Sequence, residues 1–554
     1  MGKMTQVVKD NRKQVTQKAV VNFMGGISYE INPLDTLKMI SASSIFGEPQ
    51  YYRSGEFAEK TSIRDGKFFV ASVFEDYSIF SKEDFGGLKT SEIMEKAIDD
   101  SLKYDFLATL EWAKTLRMDY LMRLNPQIIM VRAAMLTDER KDFTSKYPGL
   151  FHKINMQVMS RADDVISQIT YYLFKMGNKQ SIPGILKNSW AKKISSLSEY
   201  EIYKYKNKGI GLIDAIRICH AKSDSIDKLM KNGTIEMNSQ DKTWETLRAS
   251  GMSWDEILKT IKMNHMALLR NLRGIFSEIE DIAKCDEILD NLKKGVKYGK
   301  QFPFRYMSAE KAVLNAKGDL NGHKTTISDA LNDCLDIACE NLPKLKGNNA
   351  FLSDNSGSAW GTCTSEYGIV TVANIDNLSC VIGAANSDRG TVFKFGDKLI
   401  EYPISKRKGI LNQAKEISKK GSSDVGGGTE NGIWLFFRDA IDKKIHYDNI
   451  FIYSDMQAGH GGLYGKGTDA VEYKKRGFGL SGNYIHVAKL IDEYRKTVNS
   501  KVNVYCVQTA GYDNVLVPEY GYRTNILYGW TGKELVFADI MNKFWDEKDA
   551  QKQQ

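Results

Sequence analysis

The sequence predicts two folds in tandem: an α-solenoid of stacked helix pairs over residues 1–345, then a doubly wound, Rossmann-like α/β domain over residues 346–554. Three observations lead there. Apolar residues recur at intervals of three and four from about residue 85 to 345. After Lys344-Leu345-Lys346-Gly347, short β-rich runs alternate with helical stretches. Finally, 9 prolines in 554 residues suit a body made largely of helices, and a chain of that length exceeds one hydrophobic core.

In the first part, Ile261, His265, Leu268, Leu269, Leu272, Ile275 and Phe276 mark one buried helical face. A second helix is predicted through Leu186, Trp190, Ile194 and Leu197, continuing into Glu199–Tyr203. Breaks such as Lys206–Gly209 and Lys231-Asn232-Gly233 separate the segments. No strict period is visible, so any repeat is degenerate. In the second part the predicted strands are Ala350–Leu352, Thr391–Phe395, Ile450–Tyr453 and Val502–Val507. Helices are expected around 431–443 and 483–498 and after Gly532. Sheets of this kind hold ligands at the carboxyl ends of their strands.

Composition narrows the class. The chain is 42% hydrophobic and 26% charged, as soluble globular proteins are. No apolar run is long enough to span a bilayer, and Met1–Gln17 has no apolar stretch of a secretory signal. The seven cysteines are scattered, with only Cys334 and Cys339 close together, which points to reduced thiols. The expectation is a cytoplasmic monomer without a membrane partner. A net charge of +8 favours a polyanionic partner if the charge gathers on one surface.

The chemistry concentrates at strand ends. Asp354-Asn355-Ser356-Gly357-Ser358 follows the first predicted strand and puts a carboxylate and two hydroxyls on one short loop. Gly426-Gly427-Gly428-Thr429 adds a hydroxyl, and Ser454-Asp455 ends a later strand with a second carboxylate. Two carboxylates and three hydroxyls suit a hard cation: Mg²⁺, or another divalent ion such as Mn²⁺ or Ca²⁺. The bland alternative is a turn and helix cap, which Asp, Asn and Ser also favour. Gly465-Lys466-Gly467-Thr468 does not make a phosphate loop, because His460 stands where its first glycine belongs and Gly467 follows the lysine.

The pattern Asp-x-Ser-x-Ser, Gly-Gly-Thr and a strand-end Asp resembles the metal-ion-dependent adhesion site of von Willebrand factor A domains. The resemblance implies that Asp354, Ser356, Ser358, Thr429 and Asp455 hold the ion, directly or through water, and that an acidic group from a partner completes the shell. A glycine-rich stretch, Met456 to Gly482, with Lys466, Lys474, Lys475 and Arg476, is expected as a loop at the mouth of the site.

Asn264-His265-Met266-Ala267-Leu268-Leu269-Arg270-Asn271-Leu272-Arg273 resembles a motif of the TROVE module, named for telomerase, Ro and vault proteins. Phe46-Gly47 with Tyr51-Tyr52, Lys204-Tyr205-Lys206 and Phe302-Pro303-Phe304-Arg305-Tyr306 agree with it. A TROVE module followed by an A domain is the layout of the Ro ribonucleoprotein family and its bacterial relatives. That layout implies HEAT-like repeats in a ring closed by the A domain. It also implies small noncoding Y RNAs on a basic outer surface, single-stranded ends of misfolded RNAs in the hole, and an exoribonuclease as partner.

The candidate RNA-binding residues are Lys187, Lys192, Lys193, Lys204, Arg217, His220, Arg270 and Arg273, with Lys206 and Lys208 in the same charge run. Lys193 and Lys204 share a face if their helix is unbroken. Tyr200, Tyr203 and Tyr205 are placed to stack on bases. Against each stands an ordinary reading: a solvated helix face for the lysines, a C-terminal cap for His220, core packing for the tyrosines. The leading expectation is a non-catalytic RNA-binding ring. The alternatives are a metal-dependent protein-adhesion module, and a hydrolase disfavoured because only His460 is expected near the metal as a general base.

Overall fold

The computed structural model describes residues 19–21, 27–29, 32–42, 90–176, 181–205, 211–233, 235, 243–365, 368–405, 407–427, 431–454, 463–464, 467–479, 484–509, 523–528 and 532–552. Thr429, Asp455, Lys206, Lys208, His460 and the Phe46-Gly47 and Tyr51-Tyr52 motif lie outside them.

From Pro33–Ala42 and then Thr90–Tyr104 onward the first part is helix after helix, ending with Pro303–Leu314 and Lys324–Cys339. Local signals set the boundaries. Ser198 and Glu201 form a reciprocal cap: the Glu201 carboxylate accepts from the Ser198 N–H at 3.0 Å, and Ser198 Oγ accepts from the Glu201 N–H at 3.2 Å. This cap starts the helix Glu199–Tyr205 afresh, so the predicted continuation from Leu186 to Tyr203 is corrected to two helices, Gly184–Ser195 and Glu199–Tyr205. The same device at Ser253 and Glu256 starts Trp254–Thr260, and Asn264 caps His265–Glu278. Ile261 therefore sits in the link between two helices rather than on the helical face it was assigned to.

The TROVE-like motif owes its histidine to packing. His265 is buried, with Nδ1 at 2.8 Å from the Leu292 carbonyl and Nε2 at 2.8 Å from the Tyr306 hydroxyl. A carbonyl only accepts, so Nδ1 carries the hydrogen and neutral Nε2 accepts from Tyr306. Tyr306 belongs to the Phe302–Tyr306 motif, so two motifs far apart in sequence are one contact. Gly295 and Gly299 make room for the ring: a Cβ on either would stand 2.7 or 2.6 Å from His265 atoms.

Burial holds the His265 pKa below its ordinary 6.5, against the opposing pull of the Leu292 carbonyl. The unfolded chain then binds the extra proton first. The stability contributed by neutral His265 is full above pH 6.5 and is lost as pH falls through the lower folded-state value. We expect a thermal midpoint that falls between pH 6.5 and pH 5 in the wild type. A His265→Gln variant, destabilised at all pH values, should show a shallower fall; equal slopes would contradict this.

The second part is a six-stranded sheet. Its strands are β1 (Leu345–Asp354), β2 (Ser387–Phe395), β3 (Leu399–Pro403), β4 (Asn449–Ser454), β5 (Asn503–Gln508) and β6 (Thr524–Tyr528). The order is β6-β5-β4-β1-β2-β3, parallel except for β3, which runs antiparallel at the edge. In-register aromatic rings bridge three central strands: Phe351 stacks on Phe451 at 4.9 Å, and Phe451 on Tyr505 at 4.6 Å. The chain adds strands on one side of β1 and then crosses to the other, so the topological switch lies between β1 and β4. Crevices form at the carboxyl ends of such a pair.

Both ends of the helical part meet this domain. Near the start, the helix Pro33–Ala42 contacts β6, and Lys38 Nζ lies 6.0 Å from the Phe544 ring centroid. At the other end, the helix Ile410–Ser418 is clamped by the last two helices. Asp336 accepts from the Ile410 N–H at 2.9 Å, Asn332 from the Leu411 N–H at 3.2 Å, and Lys415 pairs with buried Glu310. The α/β domain thus contacts both the first described helix and the last two helices of the helical part. No helix among the described residues is long and apolar enough to cross a membrane.

Candidate metal centre and basic surfaces

The loop after β1 is built around Asp354, which is wholly buried. Its Oδ1 accepts from the Ser356 N–H at 2.9 Å, and its Oδ2 accepts from Ser454 Oγ at 2.6 Å, across the switch at the end of β4. Ser356 Oγ and Ser358 Oγ lie 3.2 Å apart. Three of the five proposed donors are therefore gathered on one loop. The other two, Thr429 and Asp455, lie outside the described residues. Their chain neighbours arrive at this loop, however. The Gly357 N–H donates to the Gly427 carbonyl at 2.9 Å, two residues before Thr429, and Ser454, which donates to Asp354, immediately precedes Asp455.

A polar frame that sequence reading did not single out holds the loop from behind. Asn355 Nδ2 donates to Asn377 Oδ1 at 2.9 Å, and Asn377 Nδ2 returns to Asn355 Oδ1 at 3.1 Å. Asn377 also donates to Ser418 Oγ at 2.8 Å, and Ser353 Oγ donates to Asn377 Oδ1 at 2.6 Å. Paired amides with both ends satisfied fix a buried loop without placing a charge beside it. Among the described residues no group of three or more His, Cys, Asp or Glu side chains is placed to hold a metal ion. The donor set here is one carboxylate with hydroxyls, the oxygen chemistry that a hard cation takes.

The segment expected as a loop at the mouth of the site contains the helix Gly467–Lys475. Arg476 is anchored: its guanidinium pairs with Asp442 at 2.9 Å and lies 5.4 Å from the Trp434 ring centroid. It is thereby withdrawn from the set of free positive charges expected there.

The basic candidates do not form a single patch. On the helix Gly184–Ser195, Lys192 and Lys193 stand five and six residues after Lys187. Lys193 reaches the Ser160 carbonyl, in the turn after the helix Leu150–Val158, at 3.4 Å. A five- or six-residue step around a helix turns the side chain well away, which is why the run splits. Because the helix is broken at 196–198, the shared face expected of Lys193 and Lys204 has no basis.

Lys204 is exposed and leans on its own tyrosines, 5.6 Å from the Tyr200 centroid and 5.9 Å from that of Tyr205. Tyr205 is core, so it is withdrawn as a stacking platform. Arg217 is exposed beside Asp214 at 3.7 Å, a separation worth little at a surface. His220 is exposed and caps the helix Leu212–Cys219 in the left-handed region at φ 56°, its N–H donating to the Ile216 carbonyl. Arg270 and Arg273 stand one turn apart on the exposed face of His265–Glu278 and make no ion pair among the described residues.

The architecture is a helical array followed by a mostly parallel six-stranded α/β sheet. The comparisons agree. Residues 235–347 match the model of the TROVE domain, a module associated with RNA binding. The matched span includes His265, Arg270, Arg273 and Tyr306. The overall fold is similar to that of the Ro (RSR) protein of Deinococcus radiodurans, with a TM-score of 0.59 and 13% identity over 87% of this chain and 98% of that one. The resemblance to the Ro layout read from the sequence is thereby borne out. No curated protein matches the sequence.

Proposed function

We infer that the protein is a non-catalytic RNA-binding scaffold, taking small noncoding Y-like RNA and the single-stranded ends of misfolded RNA, with an exoribonuclease as a working partner in decay or maturation. The observation that carries this reading is the pair Arg270 and Arg273. They are exposed, one turn apart and without an ion pair among the described residues, on a helix within the TROVE match. Arginine forks without acidic partners suit phosphate oxygens.

The test is a low-salt gel-shift titration with a structured small RNA. Arg270→Glu with Arg273→Glu should weaken binding at least tenfold and make the salt slope shallower by about one per lost phosphate contact. Lys187→Glu and the pair Lys192→Glu, Lys193→Glu should be made separately, since they probe two flanks. Unchanged affinity in every variant would remove these surfaces from the account.

A second reading is a metal-dependent adhesion module gripping a partner carboxylate. It is favoured by the meeting of the 354–358 loop with Gly427 and Ser454. On this reading Asp354, Ser356 and Ser358, with Thr429 and Asp455 from the sequence pattern, would hold Mg²⁺, Mn²⁺ or Ca²⁺. The ion would supply a Lewis-acidic grip on an acidic side chain, while the Asn355–Asn377 frame keeps the loop in place. Chelation separates the two readings: an RNA scaffold keeps its RNA, and an adhesion module releases its partner.

A further inference from the structure

An open groove of about 980 Å³ lies between the link Thr260–Asn264 and the helix Ile282–Gly299, within the TROVE match but apart from every basic residue discussed above. One wall is a stripe of that helix at helical spacing: Glu287, Asn291, Lys294 and Tyr298. The facing wall supplies Lys262 and Asn264, and Lys259 stands at its end, paired with Asp255 at 2.6 Å. The floor is apolar, with Met263, Leu268 and Ile288 over the His265 crossing. Glu287 is the one acid in the lining.

Two features depart from an ordinary solvated helix face. Tyr298 is 89% exposed and has neither a ring partner nor a hydroxyl hydrogen bond among the described residues. Lys262 and Lys294, which are exposed beside it, make no ion pair among the described residues. An exposed aromatic ring lining the same groove as two exposed lysines that have no ion pair among the described residues, with an apolar floor, is an arrangement that can stack a base and neutralise nearby phosphates. The volume stands at the upper end of that of small-ligand sites, so it admits several nucleotides rather than one.

We propose that this groove binds a single-stranded polynucleotide segment, with one base stacked on Tyr298 and the neighbouring phosphates on Lys262 and Lys294. The proposal rests on the RNA-binding reading above and adds to it a site and a mode of contact. The full chain is titrated into a fluorescein-labelled ten-residue oligouridylate at low salt, and anisotropy is followed.

Tyr298→Ala should weaken binding about tenfold and Tyr298→Phe should keep it, since stacking needs the ring and not the hydroxyl. Lys262→Glu with Lys294→Glu should also weaken it and make the salt slope shallower by about 1.4. All three positions are exposed, so thermal midpoints should match the wild type and exclude misfolding as the cause. If wild-type protein binds the oligomer and all variants bind it equally, the groove assignment is overturned while RNA binding elsewhere stands. If Tyr298→Ala keeps the oligomer but loses a copurifying protein, the groove is a protein-docking surface and the proposal is equally overturned. If the wild type binds neither this oligomer nor structured RNA, the reading beneath the proposal falls with it.

Discussion

Lys394→Ala should cost the α/β domain about 3–5 kcal/mol, the range for breaking a buried ion pair by removing one partner. The Lys394 side chain is 0% exposed near the carboxyl end of β2, flanked by Phe393 and Phe395, with Nζ at 2.7 Å from Asp424 Oδ1 and 3.0 Å from the Ile417 carbonyl. Removing the ammonium leaves the Asp424 carboxylate largely buried, with the Tyr402 hydroxyl at 3.3 Å as its remaining hydrogen-bond partner among the described residues.

The pair also bears on the candidate site. It ties β2 to the helix Ile410–Ser418 and to the segment that runs on to Gly427, and both reach the loop after β1. A drop of about ten degrees in the thermal midpoint of the α/β transition is expected, at two to four degrees per kcal/mol for a domain of this size. Lys394→Met combined with Asp424→Leu should recover most of it, because an apolar pair carries no stranded charge. A double variant worse than the single one would contradict this account of the pair.

Gly357→Ala should lower affinity for Mg²⁺ or Mn²⁺ by about 10- to 100-fold, the range found when groups supporting metal ligands are altered. Gly357 adopts an ordinary right-handed φ of −57°, so alanine brings no backbone strain of its own. The effect comes from crowding. An added Cβ would stand 2.4 Å from the Gly427 carbonyl oxygen, which is backbone and cannot swing aside. The two loops must part, and the Gly357–Gly427 hydrogen bond goes with them. Calorimetric titration of the full chain with Mn²⁺ reads the affinity, and RNA gel shifts on the same sample should be unchanged. Wild-type metal affinity in this variant would mean that the meeting of the two loops has nothing to do with an ion.

Much of this was legible in the sequence where one physical signal dominated. The strands that became β1, β2, β4 and β5 announced themselves as short apolar runs because the central, parallel part of the sheet buries nearly all of their residues toward the carboxyl ends. That same burial hid Lys394, which alternation would read as facing solvent. The helix Val372–Ala385 gave no amphipathic signal, since nearly its whole surface is buried, Asp376 and Asn377 included. Strand β3 is a half-exposed antiparallel edge ending at Pro403 and lacks the apolar run of its neighbours.

The Asp354–Ser358 loop at the end of β1 was legible as a strand-end turn, but the amide frame behind it was not, because Asn355 and Asn377 meet only after folding. The break at residues 196–198 was present in the sequence as Ser198-x-x-Glu201, a capping box overlooked beside a continuous apolar stripe. The grouping of lysines 187, 192 and 193 failed for a simpler reason: closeness in sequence along a helix is not closeness on its surface.

The reading as a whole is tested most directly by the ratio of absorbance at 260 nm to that at 280 nm in freshly purified full-length protein, before and after a high-salt wash. Bound RNA that leaves with salt, and stays when chelator is added instead, is the predicted result. Protein that is free of nucleic acid from the outset, and that then fails to shift structured RNA at low salt, would contradict it.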